Sequence, residues 1–336
     1  MNEFFQDKTV VVTGAAGFIG SHLCEQLLKL KAKVIGVDMF ITGRQENIDA
    51  ALVDLPDDLK NNFTLIEADV NQPAENFLPE GLKVDALLHF ASPASPPIYQ
   101  KYPRLTYLVN TWATHQLLNY LLVYQPQARF LFASTSEVYG DPEVHPQPES
   151  YWGNVNPNGP RSCYDESKRL GEAICGVHQR DLGLDVRIVR IFNTYGPRMD
   201  IDDGRVIPNF LRQAIRDKQF TVYGDGSQTR SYCYIDDLVT GVLRMLAFDA
   251  MNGETVNLGN PDEYTVIETA EMIKQAVCGE FNQEQDLVFE ELPTDDPTRR
   301  RPDISKARKD LRWEPKVGFE QGLRKTVEYF RQELNQ

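Results

Sequence analysis

The stretch TVVVTGAAGFIGSHLCEQLLKL, residues 9–30, constrains the fold more than any other part of the chain. Its opening run of β-branched residues shows no apolar–polar alternation. A run of that kind suits a strand covered on both faces, which is the habit of parallel sheets. The run then meets three glycines at three-residue spacing, Gly14, Gly17 and Gly20. Beyond them SHLCEQLLKL (21–30) carries apolar residues at helical spacing. Strand, glycine turn and helix in immediate succession open few folds other than a layered α/β domain.

The alternation recurs. KTVVVTGA (8–15), KVIGVD (33–38), FTLIEAD (63–69), DALLHFA (85–91), RFLFAST (129–135) and DVRIVRI (185–191) all read as strands buried on both faces. Helical patterns separate them, which predicts a doubly wound parallel sheet of the Rossmann type. Residues 1–191 form the expected nucleotide-binding domain, and 192–336 a smaller α/β substrate region, with ETVNLGN (254–260) a strand returning to the first. Past residue 192, YGPRMDIDDGRVIPNF and VYGDGSQTRSYCYIDD read as Gly-, Asp- and Arg-rich loops. A capping box, Thr265 three residues before Glu268, opens a helix over 265–277, and FEQGLRKTVEYFRQEL is an amphipathic C-terminal helix.

With 336 residues, 41% apolar and 25% charged, the chain has the composition of an ordinary globular protein of one large domain or two intertwined ones. Its net charge of -14 argues against a nucleic-acid partner, which would meet a basic face. Five cysteines stand singly, without a C-x-x-C pair, and suit reduced thiols. No leader pattern or membrane-span-length apolar run appears, so a soluble cytoplasmic protein is expected. His89, His115, His145 and His178 carry no metal-ligand spacing, and no metal is expected.

The glycine spacing has a physical reading. Gly14 permits a tight turn, Gly17 lets the backbone approach a pyrophosphate, and Gly20 allows close strand–helix packing. The helix N-terminus adds aligned N–H dipoles. Asp38 closes the next strand, where a carboxylate accepts from a ribose hydroxyl and repels a 2′-phosphate. NAD is therefore expected rather than NADP, although Arg44 lies close enough to favour the phosphate. Asp69, at the third strand end, faces an adenine or simply caps a turn.

Tyr164 and Lys168 stand four apart on a predicted helix, hence on one face. A free tyrosine titrates near ~10, too high for a base at neutral pH. A neighbouring ammonium together with a positively charged nicotinamide favours the phenolate. Thr135 upstream supplies a hydroxyl at a strand end.

Taken together, TGAAGFIG, STSEVYGDPEVHPQ, YWGNVNPNGPRSCYDESKR, RIFNTYGPRM, DDGRVIPNF, VYGDGSQTRSYCYIDDLV and NLGNPDE resemble the extended short-chain dehydrogenase/reductase superfamily. Within it they are most similar to the UDP-glucuronate decarboxylase (UDP-xylose synthase) family. Met39, Phe90 and Ala113 depart from that family's pattern on the cofactor side, and 49–84 matches poorly. The resemblance implies NAD-dependent decarboxylation of UDP-glucuronate to UDP-xylose through a 4-keto intermediate, with NADH recycled internally. It implies catalytic roles for Thr135, Ser136, Glu137, Tyr164, Lys168 and Arg230, and adds Phe18, Ile19, Thr42, Gly43, Ala91 and Asn110 to the cofactor contacts. Tyr99, Asn193, Arg205, Val206 and Tyr223 would contact the nucleotide sugar, and Arg300 the diphosphate. Arg230 would face the substrate carboxylate; the plainer alternative is a loop arginine paired with Asp236 or Asp237. A homodimer built on 106–124 and the Tyr164 helix is implied as well.

Ser136 separates the branches. A 4,6-dehydratase has an aspartate there to protonate a departing C6 hydroxyl. Opposite a uronate carboxylate an aspartate would repel, by about 4 kcal/mol for charges ~4 Å apart at an effective dielectric near ~20. Serine removes that repulsion. Glu137 is left three readings: orienting a hydroxyl, reprotonating C5, or structural support. A 4-epimerase or 4,6-dehydratase is the alternative function, and a non-catalytic NAD-binding sensor a third.

Overall fold

The computed structural model describes residues 2–334. Seven parallel strands form the main sheet: β1 (Thr9–Thr13), β2 (Lys33–Asp38), β3 (Phe63–Glu67), β4 (Ala86–His89), β5 (Arg129–Thr135), β6 (Asp185–Ile191) and β7 (Thr255–Leu258). Their order is β7-β6-β5-β4-β1-β2-β3, so the winding direction reverses between β1 and β4. The expected strands all appear, and the one near 254–260 does join this sheet, beside β6.

Burial on both faces explains the unbroken apolar runs of the inner strands; β3, at the sheet edge, has no fully buried residue, against expectation. Val10 and Val12 of β1 point into one core with Leu23 and Leu27, while Val11 points into the opposite core with Leu117, Leu121 and Phe130. The first face is covered by α1 (Phe18–Lys29), and the second by α2 (Thr114–Tyr124) and α3 (Ser162–Arg180). Helix Pro103–Leu108 runs through a π-helical turn at Val109–Ala113 into α2.

The region after residue 192 corrects the expectation of loops. VIPNFLRQAI is a helix, α4 (Val206–Ile215), which buries Ile207, Phe210, Leu211 and Ala214. IDDLVTGVLRMLA is α5 (Ile235–Ala247), laid against α1. Short strands lie around them: Phe220–Tyr223 pairs with Leu287–Glu290, and Thr229–Ser231 lies between Glu263–Thr265 and Arg299–Arg300. Gly- and Asp-rich flanks obscured apolar residues that are themselves at helical spacing. The capping box forms as expected: Thr265 Oγ1 accepts from the Glu268 N–H, and Glu268 accepts in return from the Thr265 N–H. It opens α6 (Val266–Cys278), against which α7 (Phe319–Leu334) packs.

The reversal point is pinned by a buried relay. The Ala91 N–H donates to Thr13 Oγ1 at 3.2 Å, and Thr13 bonds His89 Nδ1 at 2.8 Å. His89 Nε2 lies 3.0 Å from the Val109 carbonyl, which can only accept, so Nε2 carries the proton. Burial, followed by the nearby Lys168 charge, holds the imidazole down at about 3. An unfolded histidine titrates near ~6.5. The neutral, buried ring therefore contributes stability that is complete above that value and is lost as pH falls toward the folded pKa. Denaturant titrations across the acid range should show unfolding free energy declining over this window, and His89→Gln should flatten the decline.

Candidate active site

Because the strands run parallel, their carboxyl ends share one edge, and the order reversal opens a crevice there. Gly14 turns the chain out of β1 at φ +72°, where a side chain is disfavoured. A Cβ on Gly14 would come within 2.8 Å of the Phe90 and Ala91 backbone, and one on Gly20 would overlap the Gly14 carbonyl. The loop is thus closed down to bare backbone, and α1 begins directly behind it. Asp38 presents its carboxylate to the crevice, accepting the N–H of Ala16 at 2.9 Å and of Phe40 at 2.8 Å. A cavity of about 240 Å³ is lined here by Gly14, Gly17, Phe18, Ile19, Gly20, Asp38, Thr42 and Ala91. Gly43 packs against Asp38 and Ala16.

Three further residues of this region are held by the fold. Arg44 lines the crevice, but its guanidinium bonds Glu333 at 3.0 Å and Tyr329 at 2.9 Å, so its charge is already matched. Asn110 is completely buried and donates to Ser167 Oγ at 3.0 Å; it ties the π-helical turn to α3 and stands off the crevice. Asp69 Oδ1 accepts the N–H and side-chain amide of Asn71, the turn-capping arrangement, while its neighbours Ala68 and Val70 line the crevice.

A second cavity of about 410 Å³ continues from the first, sharing Phe18, Ile19, Phe90 and Arg205 with it. Thr135 and Ser136 reach it from the end of β5, and Tyr164 and Lys168 from one face of α3. Burial pushes the Tyr164 phenol well above its ordinary value, and a hydrogen bond with Thr135 partly offsets this. Thr135 Oγ1 also accepts the Glu137 N–H at 3.2 Å, leaving its own proton to donate toward the phenol. Lys168 Nζ donates to the Ala133 carbonyl at 2.7 Å, and burial lowers it to about 7. The lysine thus meets the phenol across a gap, with Nζ 5.8 Å from the ring centroid. Tyr99 stacks on Tyr164 with centroids 5.0 Å apart, and its hydroxyl is buried without a protein partner.

Ser136 is buried, with Oγ 3.4 Å from Glu137 Oε1. Glu137 meets Arg161 through one oxygen and Arg300 Nη2 at 3.3 Å through the other. Burial works to raise its carboxyl, but Arg300, Arg161 and Arg230 together hold it at about 2. Arg300 is only 1% exposed, donates to the Gly140 carbonyl at 2.9 Å, and stands behind the cavity wall. In this arrangement the guanidinium backs Glu137. Arg230 lies on a strand, not a loop, and pairs with Asp296 at 2.8 Å rather than with Asp236 or Asp237. Arg205, heading α4, grips Asp203 through two bonds of 2.5 and 2.8 Å. Asn193, Val206 and Tyr223 line the same cavity.

Arg161, Asp165 and Asp296 were missed from sequence. Arg161 bonds Glu137 and Asp296 (3.3 Å) and approaches Asp165 at 3.8 Å. Burial, then Glu137, pushes the Asp165 carboxyl up to about 8. Of the charged side chains lining the cavity, Arg161, Lys168, Arg205 and Arg230 are basic, and Glu137 and Asp296 are acidic. The cavity is electropositive within an acidic chain. Arg161 stands in the GPRSCYDESK stretch, beside residues that were singled out; nothing local signalled Asp296.

Residues 10–259 match the NAD dependent epimerase/dehydratase family, and the chain belongs to it. A curated relative from Xenopus tropicalis named UDP-glucuronic acid decarboxylase 1 is 46% identical over 327 residues, 97% of this chain and 73% of its own length. UDP-glucuronic acid decarboxylase 6 of Arabidopsis thaliana is 45% identical over 335 residues, 99% of this chain and 92% of its own length. Among solved structures, UDP-glucuronic acid 4-epimerase from Bacillus cereus in complex with UDP-glucuronic acid and NAD superposes with a TM-score of 0.82. It is 28% identical, and the match covers 97% of this chain and 99% of that one. The bare-backbone glycine turn, the helix N-terminus and the Asp38 carboxylate fit NAD. Gly14→Ala should weaken NADH binding at least ~10-fold, as its side chain would occupy the turn's left-handed backbone and meet Ala91; fluorescence titration of the purified protein measures this.

Proposed function

We infer that this chain is an NAD-dependent UDP-glucuronate decarboxylase that forms UDP-xylose. The observation that carries the reading is Ser136 beside Tyr164 in a cavity walled by Arg161 and Arg230, in a chain 46% identical to a decarboxylase over nearly its whole length. Such a cavity suits an anionic sugar, and position 136 itself carries no acid to protonate a departing C6 hydroxyl.

Bound in the glycine-lined crevice, NAD supplies an acceptor for the hydrogen on sugar C4 and a donor that returns it. Tyr164 takes the proton of the C4 hydroxyl, with the Thr135 O–H donating to the phenolate oxygen. Lys168, near its midpoint at neutral pH, adds positive charge beside the phenol when protonated. Once C4 is a ketone, the C6 carboxylate is β to a carbonyl. The C5–C6 electron pair passes into the ketone as an enolate, CO₂ departs, and C5 takes a proton from water. Arg230 and Arg161 hold the carboxylate by charge-assisted bonds until it leaves. Glu137, paired with both guanidiniums, holds Arg161 and Arg300 in place. Tyr99, Asn193, Arg205, Val206 and Tyr223 line the path of the nucleotide sugar, and Arg205 would turn from Asp203 to the diphosphate.

The cofactor region takes residues 1–191 with β7, and the sugar-nucleotide region the rest of 192–336. The active unit is a homodimer. Support comes from Tyr107, Trp112, Leu170 and Val177, large apolar side chains 44–53% exposed on the helices at 103–124 and on α3. Sedimentation should give a dimer, and Leu170→Arg a monomer. Five free cysteines, three of them buried, suit a reducing cytosol. Among the described residues no helix is long and apolar enough to cross a membrane.

Incubation with UDP-glucuronate and NAD⁺, followed by proton NMR, tests the reaction. UDP-xylose and CO₂ without net NADH are expected; turnover of UDP-glucose or dTDP-glucose instead would favour an epimerase or dehydratase. Ser136→Asp should weaken binding of UDP-glucuronate by ~100-fold or more while leaving UDP-glucose nearly unchanged, from like-charge repulsion of a few kcal/mol.

A further inference from the structure

One carboxylate in the cavity has no part in the chemistry above. Asp296 lies in the segment 291–298, which connects the strands Leu287–Glu290 and Arg299–Arg300. Pro293, Thr294, Asp296 and Pro297 line the same cavity as Ser136, Tyr164 and Arg230. Asp296 Oδ2 accepts from Arg230 Nη2 at 2.8 Å, and Oδ1 from Arg161 Nη1 at 3.3 Å. A single carboxylate therefore bridges the two guanidiniums that best suit a uronate.

The segment is held down by polar contacts. Asn156 Nδ2 donates to both Asp295 oxygens at 3.1 and 3.3 Å, and Thr298 donates twice to Asp141 at 2.9 Å. Glu291, Leu292, Pro293, Thr294 and Asp295 are all exposed, and Pro297 alone is buried. No buried apolar cluster locks the strap in place. Exposed polar bonds of this kind exchange readily with water, each contributing little net stability.

We propose that Asp296 is an internal stand-in for the substrate's carboxylate, bridging Arg161 and Arg230 until a uronate displaces it and frees the strap. The inference rests on the uronate reading and deepens it. Two carboxylates cannot share the bridge without like-charge repulsion, so the incoming one takes the guanidiniums and the strap gives way. A neutral hexose lacks the charge to compete and leaves the Asp296 bridge intact. Asp296 thereby sets specificity in two ways: it keeps both arginines paired and oriented in the free enzyme, and it admits only a ligand able to replace it.

The test is calorimetric binding to the NAD-loaded protein in a Tyr164→Phe background, which blocks turnover. UDP-glucuronate, UDP-galacturonate and UDP-glucose are titrated with and without Asp296→Asn. Removing the competitor should tighten both uronates by roughly tenfold and leave UDP-glucose within about twofold. Uronate binding that weakens would mean Asp296 positions the arginines for substrate, and a uniform change across all three ligands would place its effect on the nucleotide; either overturns the proposal. A second measurement uses the unaltered chain. Hydrogen exchange at residues 291–298 should speed up with either uronate and not with UDP-glucose; equal or greater protection with uronates overturns the displacement. Failure of the decarboxylase reading shows separately, as wild-type protein that releases no CO₂ from UDP-glucuronate, while the two uronate affinities still report on Asp296.

Discussion

Everything that acts in this protein hangs from one topological constraint. Seven parallel strands must all end at the same edge, and the reversal between β1 and β4 leaves the loops of that edge splayed apart. Gly14, Asp38, Ala91, Thr135 and Asn193 arrive there because each ends or follows a strand. The reversal is itself fixed by hydrogen bonds: Ala91, Thr13, His89 and Val109 form a buried relay joining β1, β4 and the π-helical turn. A neutral imidazole with one donor and one acceptor satisfies both neighbours, which no apolar residue at that place could do.

A second constraint is electrostatic. The chain carries a net charge of -14, yet Arg161 and Arg230 line the larger cavity and Arg300 stands behind its wall. Buried guanidiniums require anionic partners. Glu137 and Asp296 supply them, and this pairing assigns the two carboxylates different tasks. Glu137 is enclosed by arginines and belongs to the framework. Asp296 sits on an exposed strap and lines the cavity. Tyr164 is similarly framed, stacked on Tyr99 and hydrogen-bonded to Thr135.

Much of this was legible along the chain. Unbroken apolar runs announced strands buried on both faces, and the glycine spacing with Asp38 announced the nucleotide crevice. Tyr164 and Lys168 could be placed on one helical face from spacing alone. Where the reading failed, the cause was local. Residues around α4 and α5 are flanked by Gly, Asp and Arg, whose turn-forming character masked the apolar spacing of Ile207, Phe210 and Leu211. Asn110 and Asp69 are residue types equally at home capping a turn, bracing a helix or meeting a ligand, and nothing in sequence separates those roles.

The sequence by itself determined the layered α/β architecture, the cofactor-binding turn and the pairing of a phenol with an amine, because these depend on periodicity and on steric rules acting over a few residues. It also presented Ser136 where an acid would be expected, since the type of one side chain is a local fact. The tertiary structure alone decided what each charge faces. Arg161, Arg230, Arg300, Glu137, Asp165 and Asp296 come from segments as much as 163 positions apart (137 to 300) and meet only once the sheet has closed. Ionisation in a buried cluster depends on distance and desolvation, and neither quantity exists until the chain has folded.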